Sequence, residues 1–147
     1  MPVAVHVILA QDDEVLLLRR ANTGYEDGNF SVIAGHLDGN EHVIQAAMRE
    51  AKEEAGIDIR PDQLEIVGIM HRRLRAEPGN PERIDFFVKV TGWFGEIRNC
   101  EPEKCSELSW FPAGALPEHV IPYVRHGLAR TFPPQGDAQL WFDMFGW

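Results

Sequence analysis

Three glutamates, Glu50, Glu53 and Glu54, stand close together in the stretch GHLDGNEHVIQAAMREAKEEAGI, which runs from Gly35 to Ile57. On an α-helix, side chains three and four residues apart share a face, so at 3.6 residues per turn the three carboxylates point the same way. Along that helix Glu50 has Ala46, Ala47, Glu53 and Glu54 at its neighbouring positions, and Glu54 has Glu50, Ala51, Ile57 and Asp58. Neither has a basic neighbour at those spacings, whereas Glu53 has one in Arg49. Like charges so arranged destabilise a helix by roughly 0.2–0.5 kcal/mol per pair, too little to exclude a merely solvated acidic face. The surroundings favour a second reading. Ala46 and Ala47 leave room over the carboxylates, and a glycine-rich loop enters the helix from its N-terminal side. That combination presents oxygen ligands to a hard divalent cation, which takes carboxylates, backbone carbonyls and water.

The elements that must hold these groups follow from pattern. Val43, Ile44, Ala47, Met48, Ala51 and Ala55 form one apolar stripe and predict a helix over about 41–55. Asn40 is its expected N-cap and Gly56 its C-cap. Residues 2–10 and 14–20 read as two strands around the polar turn QDD, followed by the loop ANTGYEDGN and a short FSVI strand. AGHLDGN reads as another loop, in which Gly35 and Gly39 can take positive φ. LEIVGIMHRRLR and ERIDFFVKVTGWFG are expected to form a hairpin across AEPGNP. The charged loop EIRNCEPEKCSE leads into a short apolar LSWF. LPEHVIPYVRHGLARTF reads as a second helix with Pro122 near its start or kinking it, and the aromatic AQLWFDMFGW follows as a tail. Strands, helix, strands, helix predict an α+β fold: an α/β/α sandwich with a mixed sheet.

Bulk properties narrow the function. The 147 residues, 44% apolar and 25% charged, suit one soluble domain spanning 1–147. No apolar run is long enough for a membrane span, and MPVAVHV lacks the basic start of a secretory signal, so a cytoplasmic location is expected. Cys100 and Cys105, with four residues between them, match no usual zinc spacing and read as free thiols. A net charge of -9 argues against long nucleic acids, whose binding depends on neutralising many phosphates. A small phosphorylated ligand is compatible with it if a metal ion supplies the positive charge.

Gly35, then Glu41 after five residues, then after seven more Arg49-Glu50-Ala51-Lys52-Glu53-Glu54-Ala55-Gly56-Ile57, resembles the complete box of the Nudix hydrolases, G-x5-E-x7-R-E-U-x-E-E-x-G-U. Ala51 is a small occupant of the first bulky aliphatic position U; the other fixed positions match. The resemblance implies cleavage of a nucleoside diphosphate linked to another moiety X, with Mg²⁺ or Mn²⁺ as cofactor. It makes Glu50, Glu53 and Glu54 metal ligands, with the Gly35 carbonyl contributing. Arg49 would orient the glutamates and Glu41 would fix the junction of loop and helix. The general base is Glu53 or a glutamate outside the box, in NCEPEKCSE: Glu101, Glu103 or Glu107, of which Glu103 is the first choice.

Substrate contacts are expected from Arg20 at the end of the second strand, from Tyr25 in the following loop, and from His36 beside Gly35. His71 is the choice within His71-Arg72-Arg73, where strand alternation admits only every second side chain to one face. Length and the segment WFPAGALPEHVIPYV are most similar to the MutT-like nucleoside triphosphate pyrophosphatases, including sanitisers of oxidised purines. The chain departs from them in having Ile33-Ala34 where Pro-Gly usually precedes the box. It also lacks an acidic pair after Leu116-Pro117. The leading expectation is thus a pyrophosphohydrolase of (deoxy)nucleoside triphosphates. A Nudix hydrolase of nucleotide sugars, dinucleoside polyphosphates or another organic pyrophosphate is the alternative, and a non-catalytic nucleotide-binding module a third. A homodimer is also compatible, through Trp141, Phe142, Phe145 and Trp147, which otherwise belong to the core.

Overall fold

The computed structural model describes residues 1–74 and 82–147. Strand β1 (Val3–Gln11) turns into β2 (Glu14–Arg20) through Asp12 and Asp13, both at positive φ (48° and 64°). This is the two-residue turn whose twist matches that of the strands it joins. β1 lies parallel to β6 (Glu82–Val90), from Val3 opposite Ile84 to Leu9 opposite Val90, and antiparallel to β4 (Ile33–His36). β6 pairs antiparallel with β5 (Leu64–Arg73), which carries β8 (Trp141–Phe145) in parallel on its other edge. β2 takes β3 (Phe30–Ser31) and β7 (Cys105–Pro112), both antiparallel. Helices α1 (Val43–Ala55) and α2 (Pro122–Thr131) pack into separate hydrophobic clusters. The α/β/α sandwich with a mixed sheet is therefore present.

The continuous apolar run of β1 is explained by burial on both faces. Val5, Val7 and Leu9 share a cluster with Ala46, Ala47, Ala51 and Ala55 of α1. Ile8 joins Phe87, Val124 and Leu128 in the cluster that contains α2. Methyl-sized residues bring α1 down onto the sheet, and on the other side Gly127 does the same for α2. A Cβ at Gly127 would stand 2.3 Å from Phe87 Cε1. At the edge, Gly68 leaves a void that Trp141 fills, since a Cβ there would be 1.9 Å from Trp141 Cε2. The Trp141 indole N–H reaches Thr131 Oγ1 of α2 at 3.4 Å.

Several boundaries differ from expectation, each for a backbone reason. The N-cap of α1 is His42, not Asn40: the His42 ring Nδ1 accepts from the Gln45 N–H, and Gln45 Oε1 accepts from the His42 N–H. Asn40 instead takes a left-handed φ of 69° and turns the chain. Gly56 closes the helix at φ 71°, as expected. Residues 33–36, expected to be mostly loop, are a strand because β1 supplies an antiparallel partner. β7 starts at Cys105, within the expected loop, because it runs along β2. α2 begins only at Pro122, a favoured first helical residue. The residues before it spend hydrogen bonds on Phe30, whose N–H donates to His119 O and whose carbonyl accepts from the Ile121 N–H. The expected tail is strand β8, in which Trp141 is core while Phe142 is exposed. The hairpin pairing of β5 and β6 is present; its AEPGNP turn lies outside the described residues. Cys100 and Cys105 are free thiols. Among the described residues no helix is long and apolar enough to cross a membrane.

Candidate active site

The end of β4 and the outer face of α1 meet at Gly35. A Cβ on Gly35 would lie 2.0 Å from Glu50 Oε1, so only a glycine lets this carboxylate settle against the strand. Arg49 braces the junction. Its Nε and Nη2 donate to the two oxygens of Glu41 at 3.0 and 2.7 Å, the fork geometry that makes such pairs strong. Its Nη2 also donates to the His36 carbonyl at 3.1 Å, and Glu41 Oε1 accepts from the Asp38 N–H at 2.8 Å. Nη1 donates to Glu50 Oε1 at 2.7 Å and reaches Glu53 Oε2 at 3.4 Å. Glu50 thus does have a basic partner. Three- and four-residue spacing misses it because Arg49 is the preceding residue, its guanidinium held in place by Glu41.

Charge is arranged unevenly around this brace. The Arg49 guanidinium, helped by the Asp38 N–H, holds the Glu41 carboxyl at about 2. Burial pushes Glu50 upward. Glu54 is pushed up to about 9, first by burial and then by the Glu50 charge, and the two carboxyls share a hydrogen bond. The pair therefore retains a proton at neutral pH. The Ala34 N–H donates to Glu54, while Glu54 Oε2 is buried without a partner.

A buried orphan acceptor is costly, and it suits a cation replacing the shared proton. Among the described residues no three histidine, cysteine or carboxylate side chains are already gathered as a finished cation shell. The donor set is nonetheless that of a hard divalent ion: carboxylates with a backbone carbonyl at hand.

Two hollows meet here. The first, about 470 Å³, is lined by Glu50, Glu53, Glu54, Glu101, Arg20 and Lys104 among others. The second, about 370 Å³, shares Arg20, Ala34 and Gly35 with it, and reaches His6, Arg72 and Tyr123. Arg20 stands at the joint, its Nε donating to Tyr25 O at 2.7 Å and its Nη2 to Thr23 Oγ1 at 3.0 Å. Tyr25 and His36 line the second hollow, where His36 Nε2 lies 2.8 Å from Arg83 Nη1.

Two expected site residues fall elsewhere. His71 lines neither hollow; its Nε2 is 3.0 Å from Glu82 Oε1 and its ring meets Trp147 edge-on. Alternation along β5 turns Arg72 inward instead, in phase with buried Met70. Glu103 is exposed and outside the lining, its carbonyl accepting from Asn22 Nδ2, whereas Glu101 and Lys104 line the first hollow. Glu107 lies on β7 beside Ser109, whose hydroxyl donates to it.

Sequence reasoning missed His6, Arg72, Arg83, Tyr123 and Lys104 as lining residues. The usable signal was a basic residue in phase with apolar ones, as Arg72 is with Met70, facing an acidic residue on the neighbouring strand. Asp85, fully buried, accepts from Arg72 Nε at 2.6 Å. The unpartnered buried side-chain atoms found among the described residues are Glu54 Oε2, Arg72 Nη1 and the two ring nitrogens of His6. Every one belongs to a residue lining these hollows. His6 Nε2 lies 3.3 Å from Asp85 Oδ1 without hydrogen-bond geometry, and burial lowers His6 to about 4, keeping it neutral.

A mixed sheet between two helices, with a braced carboxylate helix rising from a glycine at a strand end, is the architecture of the Nudix class. The NUDIX domain model matches residues 1–132, and the chain belongs to this family. It is 29% identical over 117 residues to an 8-oxo-dGDP phosphatase of Homo sapiens, covering 78% of this chain and 33% of that one. It is 31% identical over 116 residues to an ADP-ribose pyrophosphatase of Methanocaldococcus jannaschii, covering 79% and 64%. It is 31% identical over 128 residues to the NAD-capped RNA hydrolase NudC of Stutzerimonas stutzeri, covering 84% and 40%. The chain thus spans between a third and just under two thirds of the length of these curated relatives. Among solved structures, a MutT NUDIX hydrolase from Burkholderia pseudomallei superposes with a TM-score of 0.77 at 25% identity, covering 86% of this chain and 95% of that one.

Proposed function

We propose that this chain is a metal-dependent pyrophosphohydrolase that cleaves a nucleoside diphosphate linked to X, with nucleoside triphosphates as the first substrates to test. The observation that carries the reading is the placement of Glu50, Glu53 and Glu54 together in the lining of one hollow, with Glu54 Oε2 sealed and unpartnered. A purely structural acidic face has no use for a sealed carboxylate. Glu50, Glu53, Glu54 and the Gly35 carbonyl would hold a divalent cation, Mg²⁺ or Mn²⁺. When bound, such an ion neutralises phosphate charge and lowers the pKa of its water.

The protein's own contribution is positioning. Arg49 fixes Glu50 against Gly35, and Arg20 and Lys104, which line the same hollow, offer positive charge to phosphate oxygens. For taking the proton of an attacking water, Glu101 is preferred over Glu103 because its side chain lines the same hollow. Glu53 is the other candidate, held only at 3.4 Å by Arg49. The reading extends the domain over residues 1–147, supported by β8 pairing with β5 beyond the 132 residues matched by the family model.

The test is a hydrolysis screen with Mg²⁺ and with Mn²⁺ across nucleoside triphosphates, nucleotide sugars and dinucleoside polyphosphates, with the products identified. Cleavage at a pyrophosphate bond, abolished by Glu53→Gln and Glu54→Gln, is the expected result. Binding without turnover under both metals would instead make the chain a nucleotide-binding module.

A further inference from the structure

Strand β8 closes the sheet, and among the described residues nothing pairs with its outer edge. Such an edge presents a row of free N–H and C=O groups to any strand that comes alongside, and proteins blunt it with lysine, proline, a bulge or an inward-facing charge. The β8 sequence WFDMF holds neither lysine nor proline, and it runs beside β5 in unbroken register from Trp141 opposite Gly68 to Phe145 opposite Arg72. Its inward-facing charge is Asp143, which is matched within its own chain. His126 Nε2 lies 2.7 Å from its carboxylate, and Arg130 Nε donates to it at 2.9 Å.

The other side of β8 is apolar and open. On this side of the sheet Phe86 lies opposite Ile69, and Ile69 opposite Phe142; Ile84, His71 and Met144 form a second such row. Ile69, Ile84 and Phe86 are half-buried, whereas Phe142 and Met144 are exposed. The inner strands are flanked on both sides, and β8 on one. What Phe142 and Met144 lack is a neighbouring strand.

That strand must carry apolar residues at alternate positions and no charge between them on this side, which β8 itself does. We propose that two copies of this chain join through β8, the strands antiparallel across a two-fold axis at Phe142, so that the two sheets become one. Phe142 then meets its own copy, and Leu140 meets Met144 of the partner subunit. Asp143 falls opposite Trp141 of the partner subunit; an axis at Asp143 would instead set that carboxylate against itself, which is destabilising. The contact is isologous, so one axis uses up both edges and the assembly closes at two. Leu140, Phe142 and Met144 are 60–71% exposed and together hold roughly 300 Å² of apolar surface in water. With the backbone of the edge, two copies bury roughly 800–1,000 Å² in total, at the low end of specific contacts, so half-dimerisation is expected on the order of tens of micromolar. No residue of β8 lines either hollow, and the contact leaves the carboxylate site open.

Sedimentation velocity of the full chain from about 1 to about 300 µM tests this, because a dimer follows protomer concentration. Monomer at the low end and mostly dimer at the high end is the expected result. Phe142→Lys sets like charges against each other at the axis and should weaken association by about tenfold or more, with an unchanged circular dichroism spectrum because the side chain is exposed. A Cys100→Ser background removes the exposed thiol. In it, Phe142→Cys should crosslink into dimers with oxidised glutathione, since cross-strand Cβ atoms at the axis lie roughly 5 Å apart. Met144→Cys should not, being roughly 13 Å from its copy. The cysteine pair tests the geometry even where the lysine variant folds poorly.

A monomer throughout would overturn the proposal and leave the edge to a strand of other origin. A dimer that Phe142→Lys does not weaken, or that crosslinks equally through both cysteines or through neither, would overturn it as well.

Discussion

Replacing Glu54 by glutamine separates the carboxylate pair from the rest of the protein's titration. In the folded, metal-free chain Glu54 holds its proton up to about 9, against 4.5 for an ordinary glutamate. Burial and the Glu50 charge are the causes, so the raised value belongs to the pair. Between those limits the folded state binds a proton that the unfolded chain has released. Stability therefore falls as pH rises, by about 1.4 kcal/mol per unit. From about pH 5.5 to about pH 7.5 the wild-type chain should lose on the order of 3 kcal/mol through this pair. Glutamine mimics the protonated acid and cannot ionise, so Glu54→Gln should lack the loss. The assay is urea unfolding of both proteins, stripped with a chelator, across that range. The quantity of interest is the gap between the two curves, because other groups cancel in it. The gap should widen in favour of the variant as pH rises. Adding Mg²⁺ at the upper pH should stabilise the wild type and leave the variant where it was. Parallel curves would refute the shared proton and, with it, the argument that a cation takes its place.

Three further outcomes follow from named contacts. Gly35→Ala drives a Cβ into Glu50 Oε1, and a displacement of about an ångström at a reacting centre costs about a hundredfold; steady-state turnover should fall by that much while the circular dichroism spectrum is unchanged. Arg49→Lys keeps the charge but loses the two-pronged hold on Glu41, and turnover should drop by about tenfold or more, with added guanidinium restoring none of the geometry. His6 is neutral in the fold, lowered from 6.5 to about 4. As pH falls through that window the unfolded chain gains a proton that the folded one refuses, so about 3 kcal/mol of stability is lost. In acid unfolding curves His6→Phe should be free of this component.

The carboxylate helix was readable because its chemistry is local: one helix face, one glycine before it, one cap after it. Arg49 was assignable for the same reason, although its grip on Glu50 was not, since helical spacing counts turns and not the reach of a guanidinium anchored elsewhere. The second hollow was legible in part: Arg20, Tyr25 and His36, singled out by type and position, line it. Its lining from β1, β5, β6 and the start of α2 was hidden, since nothing near Tyr123 in sequence announces Arg72. Within His71-Arg72-Arg73 alternation allowed two answers, and only the phase set by Met70 and Asp85 decides between them. The loop expected at 96–107 ends three residues early, at Lys104, because strand β7 owes its existence to the partner β2 and not to its own polar residues.

Gly68 and Trp141 lie far apart in the chain and occupy a single space. Giving Gly68 a side chain overfills it, at a cost of about 1–3 kcal/mol; shrinking Trp141 empties it, at about 3–5 kcal/mol. Each residue is thus held constant by the other, and a lineage that changes either alone crosses a valley of fitness before a second substitution can repair it. Drift at these positions should be slow and paired, so that descendants carry either both residues or neither.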